Sequence, residues 1–362
     1  MKKDTARKQI RKLLALDSAG SFMIAGASWV ALLAARGFST VQIGMAESIF
    51  HVASMSFEIP SGAIADVFGR KRTLVAGRVM SVLSAVLMIF SDSFLSVACA
   101  MITSAFGYNL ASGTREALAY DSLKEAGIEQ EYDKFASNDM VIYQLTTSFA
   151  TLLAGVALMW GYQKAYLADL VMGLASVLIA CSLKEAKTEL SQKSGIRERF
   201  REVAHESADF LKSNSGARRM ILFNSAIGAV SVLLLFFLQA KLTDAGLERI
   251  WLGPALFVMG LGSVIGAKAV TFMKEKRYKV LGAVSGVGVL FAVAAVMTGN
   301  VCCMILGGFV GAMADSLLAV RTDVVLNTMI PSGQRATLIS VNSFTYSIIM
   351  IVLSPLFGIL FQ

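Results

Sequence analysis

Gly62-Ala63-Ile64-Ala65-Asp66-Val67-Phe68-Gly69-Arg70-Lys71-Arg72 is a short basic turn set between two long apolar segments. Its two glycines permit a close approach of neighbouring segments. An aspartate stands just inside the end of the first segment, and a run of cations follows. A turn this positive between two membrane-length segments fixes which side faces the cytosol, because cytosolic loops hold the excess of Lys and Arg.

The rest of the chain fits that reading. Of its 362 residues, 56% are hydrophobic and 16% charged, and the mean hydropathy is +0.65. Soluble domains carry about 25% charge. Here the charges cluster between apolar runs, the pattern of an all-α polytopic membrane protein lying in a lipid bilayer. The net charge of +8 raises nucleic acid as a partner. The cations lie in loops between spans rather than on one face, so nucleic acid is not expected. Cys99, Cys181, Cys302 and Cys303 sit inside apolar segments without metal-ligand spacing or a disulfide framework. The two histidines are His51 and His205, and the chain shows no phosphate loop or catalytic constellation. An enzyme, a cofactor and a metal are therefore not expected.

Eleven segments approach the roughly 20 residues that cross the hydrocarbon core. They run over about 13–35, 40–64, 74–90, 94–118, 138–160, 165–183, 220–240, 250–273, 279–298, 301–320 and 336–361. Residues 120–136 read as a short cytosolic connection. Residues 1–183 form an N-terminal six-helix bundle, 184–219 a cytosolic linker with an amphipathic helix over 197–212, and 220–362 a C-terminal bundle of about five helices. With the N-terminus in the cytosol, 29 of the 33 Lys and Arg fall inside, leaving Arg36, Lys164, Lys241 and Arg249 outside.

The two halves repeat. Gly62 precedes the basic turn after span 2, and Gly266 precedes Lys274–Arg277 after span 8, an offset of 204. Arg115 and Arg321 close spans 4 and 10 with an offset of 206. Two parallel six-helix repeats joined by a linker are an arrangement of secondary transporters. The same offset places the start of a twelfth helix near residue 370, beyond Gln362, so the expected fold lacks its twelfth span.

The opening stretch resembles the loop 2–3 signature of the major facilitator superfamily, Gly-x-Leu-Ala-Asp-Arg-x-Gly-Arg-Lys/Arg. Gly62, Ala65, Asp66, Gly69, Arg70 and Lys71 match, Ile64 stands for the leucine and Val67 replaces the first arginine. Tyr120-Asp121, and Asn327 to Pro331 followed by Arg335, resemble the inner-gate segments of bacterial drug-transporter-like members. The resemblance implies that Asp66 meets the N-terminus of the eleventh helix and that Arg70 pairs with Glu116 or Asp121 of span 4. These contacts would latch the inner side and break as the transporter changes state. Span 5 lacks the proline signature of the antiporters, and Val270 stands where the repeat would put a second latch aspartate.

Several polar residues lie within the spans, where ionisable groups face a partner or a cavity. Glu47 and His51, one helical turn apart, and Asp315 of span 10 are candidates for proton coupling, or for polar packing pairs. Asp17 and Asp169 lie nearer span ends and read as interfacial or capping groups. Arg115, Glu116, Asp121, Arg321 and Asp323 gather at the inner ends of spans 4 and 10 as gate residues, beside Gly62, Asp66, Gly69, Arg70 and Lys71. Asn109, Tyr143, Gln144, Asn224, Asn342 and Tyr346 are candidates for lining a substrate cavity, or for bonding helices together. The expected protein is a monomeric transporter of the bacterial cytoplasmic membrane, exporting small lipophilic compounds against protons. Nutrient uptake and a non-transporting, truncated scaffold are the alternatives.

Overall fold

A computed structural model describes residues 1–186, 201, 205, 209–210, 212–273, 277–329 and 335–362. Among these, every regular element is a helix. The longer ones are α1 (Lys3–Ser21), α2 (Ile24–Ala27), α3 (Trp29–Ala35), α4 (Thr40–Phe68), α5 (Arg70–Ile89), α6 (Phe94–Ala111), α7 (Thr114–Glu125), α8 (Tyr132–Leu152), α9 (Ala154–Trp160) and α10 (Tyr162–Cys181). After the linker come α11 (Ser215–Asp244), α12 (Leu252–Phe272), α13 (Tyr278–Met297), α14 (Val301–Met329) and α15 (Arg335–Leu360).

Eight of the helices or joined helices are long and apolar enough to cross a membrane, and the pair α8–α9, bent by 45°, makes a ninth. These coincide with the third to eleventh expected spans. The first two do not meet that measure. The first is broken into α1, α2 and α3, and α4, though 29 residues long, carries Gln42, Glu47, His51 and Glu58.

The break in the first span has a local cause. Met23 and Ser28 interrupt the helix, which strands backbone N–H groups where no water can reach them. Asp169 of α10 takes them up. Its Oδ1 accepts from Ile24 N at 2.6 Å and Ala25 N at 3.2 Å, and its Oδ2 from Gly26 N at 2.9 Å. Asp169 is 3% exposed and caps this inner helix start rather than a membrane-surface end.

One segment differs from the sequence reading. Residues 120–136, expected as a loop, are helical at both ends. Leu118, Ala119 and Leu123 of α7 and Phe135 of α8 are buried, and that apolar face holds the helices together past the point where hydropathy falls. Most of the expected amphipathic helix over 197–212 and the second basic turn, Lys274–Lys276, lie outside the described residues.

The chain divides into two compact units. Unit 1 comprises Met1–Trp29, Ile49–Leu153 and Trp160–Phe200. In it α5 packs on α6 and α10, and α1 packs on α7, α8 and α10. Its core gathers Leu13, Leu16, Leu74, Leu118, Phe135 and Leu183. Unit 2 comprises Val30–Ser48, Ala154–Met159 and Arg201–Gln362. There α12 and α13 pack on α14, and α11 packs on α14 and α15. The first half of α4 belongs to this second unit. Gly44 lies against the backbone at Ser354, and Gly358 lies against the backbone at Thr40 and Val41.

Candidate functional site

Gly113 breaks the fourth span between α6 and α7 with a φ of +72°, a left-handed geometry that glycine adopts without strain. The break starts a new helix, and Arg115 stands in its first turn. Ten residues separate it from the end of α7, roughly 15 Å along the helix axis. Arg115 therefore stands at the start of α7 rather than at the end of that helix.

Three carboxylates share this one guanidinium. Nη1 pairs with Asp17 of α1. Nη2 lies 2.7 Å from Oδ2 of Asp139 on α8 and 2.8 Å from Oε1 of Glu116. The Asp17 side chain is 3% exposed and that of Asp139 12%. Each carboxylate gives one oxygen to Arg115 and keeps the other buried without a hydrogen-bond partner: Oδ2 of Asp17, Oδ1 of Asp139 and Oε2 of Glu116. A buried carboxylate oxygen without a donor is costly as an anion and favourable as a hydroxyl.

The basic turn is held from a side that its sequence does not show. Gly69 has a φ of +91° and ends α4 so that α5 can begin. The N-terminus of α5 is capped by Glu185, which follows α10. Its Oε1 accepts from Arg70 N at 2.9 Å, and its Oε2 from Lys71 N at 3.1 Å. A carboxylate at a helix start meets unsatisfied N–H groups and the positive end of the dipole. Arg70 Nη1 lies 2.9 Å from Oδ2 of Asp121, which joins α5 to α7. Gly62 is exposed, and nothing among the described residues comes within 4 Å of where its Cβ would stand. The close approach expected at Gly62 is made instead at Gly69, where a Cβ would come within 2.7 Å of Glu185 Oε2. Asp66 is also exposed, and Lys71 is half-buried. The expected partner of Asp66 is the start of the eleventh span near residue 336, whose side chains lie outside the described residues.

The same end of unit 1 is stitched further. Gln9 Nε2 donates to Ser122 Oγ and to Lys184 O, both at 2.8 Å, and Lys12 Nζ donates to Ser182 O at 2.9 Å. Arg7 Nη2 pairs with Glu131 Oε1 at 2.6 Å.

The remaining sequence candidates are dispersed. Glu47 and His51 are both buried on α4. Asn109 is committed to packing: its Nδ2 donates to Ser54 O at 2.6 Å, and Ser54 Oγ donates back to its Oδ1 at 3.1 Å, joining α4 to α6. Tyr143 and Gln144 are exposed on α8. In unit 2, Asp315 of α14 and Tyr346 of α15 meet across Gly228 of α11, with Asp315 Oδ1 3.3 Å from the position of a Cβ there. Asn224, one turn before Gly228, has its Oδ1 buried without a partner. Asn342 and Asp323 are exposed and Arg321 is half-buried. The side chain of Asn327 lies outside the described residues.

Three residues at this site escaped the sequence reading as functional candidates: Asp139, Glu185 and Gly113. Asp139 stands at the very start of the fifth expected span, and Glu185 in a linker rich in charge. A charged residue inside a span was the available signal for Asp139.

A chain of membrane-length helices, with ion pairs between their interiors and a broken first span, is a polytopic protein of the solute-transporter kind. The chain belongs to the major facilitator superfamily: that family's model matches residues 13–361. An uncharacterized MFS-type transporter, YxaM of Bacillus subtilis (strain 168), is 32% identical over 88 residues. That match covers 24% of this chain and 22% of the relative. Among solved structures, the nucleoside transporter NupG matches with a TM-score of 0.74 at 14% identity, covering 98% of this chain and 90% of that one. The D-xylose-proton symporter matches with a TM-score of 0.66 at 14% identity, covering 98% and 89%. A bacterial homolog to the human lysosomal transporter Spinster, inward-facing and unoccupied, matches with a TM-score of 0.68 at 15% identity, covering 98% and 82%. At such identities the likeness concerns the fold.

Proposed function

We propose that this chain is a proton-coupled transporter of small organic compounds in the bacterial cytoplasmic membrane, working by alternating access with its N-terminus in the cytosol. The observation that carries this reading is the Arg115 site, where Asp17, Glu116 and Asp139 share one guanidinium and each retains a buried oxygen without a donor. Protonation of one acid loosens its hold on Arg115. The helices α1, α7 and α8 that these pairs join are then free to shift. Asp315 is the second proton or substrate carboxylate, in unit 2, and Glu47 with His51 form a further coupling pair. Asp66, Arg70, Asp121, Arg321 and Asp323 act as the inner latch, with Glu185 fixing the turn that carries Arg70.

Export of small lipophilic compounds is the direction we favour, on the likeness of the basic turn and the segments around Asp121 to drug-transporter-like members. Uptake is the second reading, and it draws on the fold likeness to a nucleoside transporter and a D-xylose-proton symporter. Proteoliposomes with an imposed pH gradient, offered a panel of cationic and neutral compounds, test both. Substrate-dependent proton flux is expected. Its direction separates export from uptake, and its absence with every compound argues for a non-transporting protein.

A further inference from the structure

Asp315 is the midpoint of α14, the place in a span where a carboxylate is least favourable. Among the described residues it forms no ion pair and no hydrogen bond. Its Oδ1 lies 3.3 Å, and Cε2 of the Tyr346 ring 3.7 Å, from the position a Cβ would take at Gly228. Helices α11, α14 and α15 thus bring a carboxylate, an aromatic ring and a residue without a side chain to one point. Gly311, one turn before Asp315, has Ser231 Oγ 3.9 Å from its own Cβ position, so the face of α11 that holds Gly228 and Ser231 runs along α14. Asn224 stands one turn from Gly228 on that face. It is half-buried, and its Oδ1 is buried without a donor.

These groups call for one kind of ligand. An ionised carboxylate only accepts hydrogen bonds, and so does an amide oxygen. A hydroxyl would bring a donor and leave the charge of Asp315 uncompensated. A proton would cancel that charge and leave the Asn224 oxygen without a donor. A protonated amine supplies several N–H donors and the positive charge together, and an aromatic ring beside the carboxylate attracts an ammonium group as well. We propose that Asp315, Tyr346, Gly228 and Asn224 form a subsite for the protonated amine of an organic substrate. Asp315 pairs with the ammonium group and Asn224 accepts a further N–H from it. Tyr346 lies against the carbon that carries it, and Gly228 leaves the room it needs. This names the substrate class of the unit 2 carboxylate and rests on the transport reading for its purpose.

Binding can be measured without transport. Dansylcadaverine is a fluorescent primary amine that is protonated at neutral pH, and its N-acetyl derivative is neutral. Both are titrated onto the purified chain in lipid nanodiscs with no pH gradient. Saturable binding of the amine is expected, with the acetylated probe weaker by about 30-fold or more, the effect of removing one partner of a buried charge pair. Asp315→Asn should weaken the amine by a similar factor and leave the acetylated probe unchanged. Gly228→Val keeps the charge and fills the space, and should also weaken the amine. Asp315→Glu should keep the preference for the amine, which holds the test open where Asp315→Asn fails to fold. The proposal is overturned by wild-type protein that binds the two probes equally or shows no saturable binding of the amine. Wild-type amine affinity in Asp315→Asn or Gly228→Val, or a lost preference in Asp315→Glu, overturns it as well. Amine binding that depends on Asp315, in a chain that moves no protons with any compound, leaves the subsite standing and removes the transport reading. Proton flux driven by neutral compounds, without amine binding, does the reverse.

Discussion

Ser48 donates its hydroxyl to the carbonyl of Ile351 at 2.8 Å. That carbonyl would ordinarily bond to the N–H of the residue four positions on, which is Pro355 and has none. The proline opens an acceptor within α15, and a serine from the first half of α4 fills it. Two turns further along, Thr40 Oγ1 donates to Gly358 O at 2.7 Å, and Gly44 and Gly358 remove the side chains that would hold the backbones apart. These four residues form a polar zipper between α4 and α15.

Gly44→Val is expected to drive that zipper open, since a Cβ at Gly44 falls on the Ser354 carbonyl. Pulsed electron paramagnetic resonance between spin labels at Ser39 and Gln362 checks this. The distance should lengthen in the variant, and Ser48→Ala should give a smaller change of the same sign. An unchanged distance distribution in Gly44→Val would show that the contact is not a moving one.

Asp169 bears a larger energetic load. Asp169→Ala leaves three backbone N–H groups at the break in the first span without acceptors. Each buried group left unpaired costs about 1–3 kcal/mol, so the variant is expected to lose about 3 kcal/mol or more. Asp169→Asn keeps an acceptor oxygen and should lose about half as much. Thermal unfolding in detergent, followed by tryptophan fluorescence, compares them. Equal melting temperatures for Asp169→Ala and the wild type would remove this account of the break.

Gly69→Ala combines a left-handed φ with a side chain directed at Glu185. Left-handed backbone costs a non-glycine residue about 1–2 kcal/mol, and the displaced carboxylate adds the loss of a helix cap, typically about 1 kcal/mol. Glu185→Gln should show the second loss alone. The difference between the two melting shifts isolates the backbone cost.

The exposed pair of Arg7 and Glu131 has a pH signature. Its hydrogen bond, followed by the guanidinium charge, holds the Glu131 carboxylate below its ordinary range, and the same bond raises Arg7. A depressed acid stabilises the fold above its ordinary value, about 4.3, and the benefit disappears as pH falls through the lowered one. The melting difference between the wild type and Glu131→Gln should therefore be small at neutral pH, vanish in strong acid and shrink with added salt. A difference that grows on acidification would contradict the pairing.

Hydropathy marks the spans from the third to the eleventh, because long apolar runs separated by clustered charge have one economical solution in a membrane. It ends the fourth span too early and starts the fifth too late. Their continuations carry polar residues outward while burying Leu118, Leu123 and Phe135 inward, and a window average erases that one-sidedness. The basic turn is legible because its glycines and cations are local in sequence. Its cap, Glu185, is 115 residues from Arg70, and only folding brings them together. The break in the first span was not legible either: nothing in Phe22–Ser28 forbids a helix, and the Asp169 that stabilises the break comes from α10.

The central claim is that protons taken up at the Arg115 site drive transport. Reconstituted wild-type protein should accumulate or expel its substrate against a gradient when a pH difference is imposed. Asp17→Asn should abolish that uphill movement while leaving passive exchange of labelled substrate across the membrane. Uphill transport by Asp17→Asn at the wild-type rate and with the wild-type pH dependence would contradict the account.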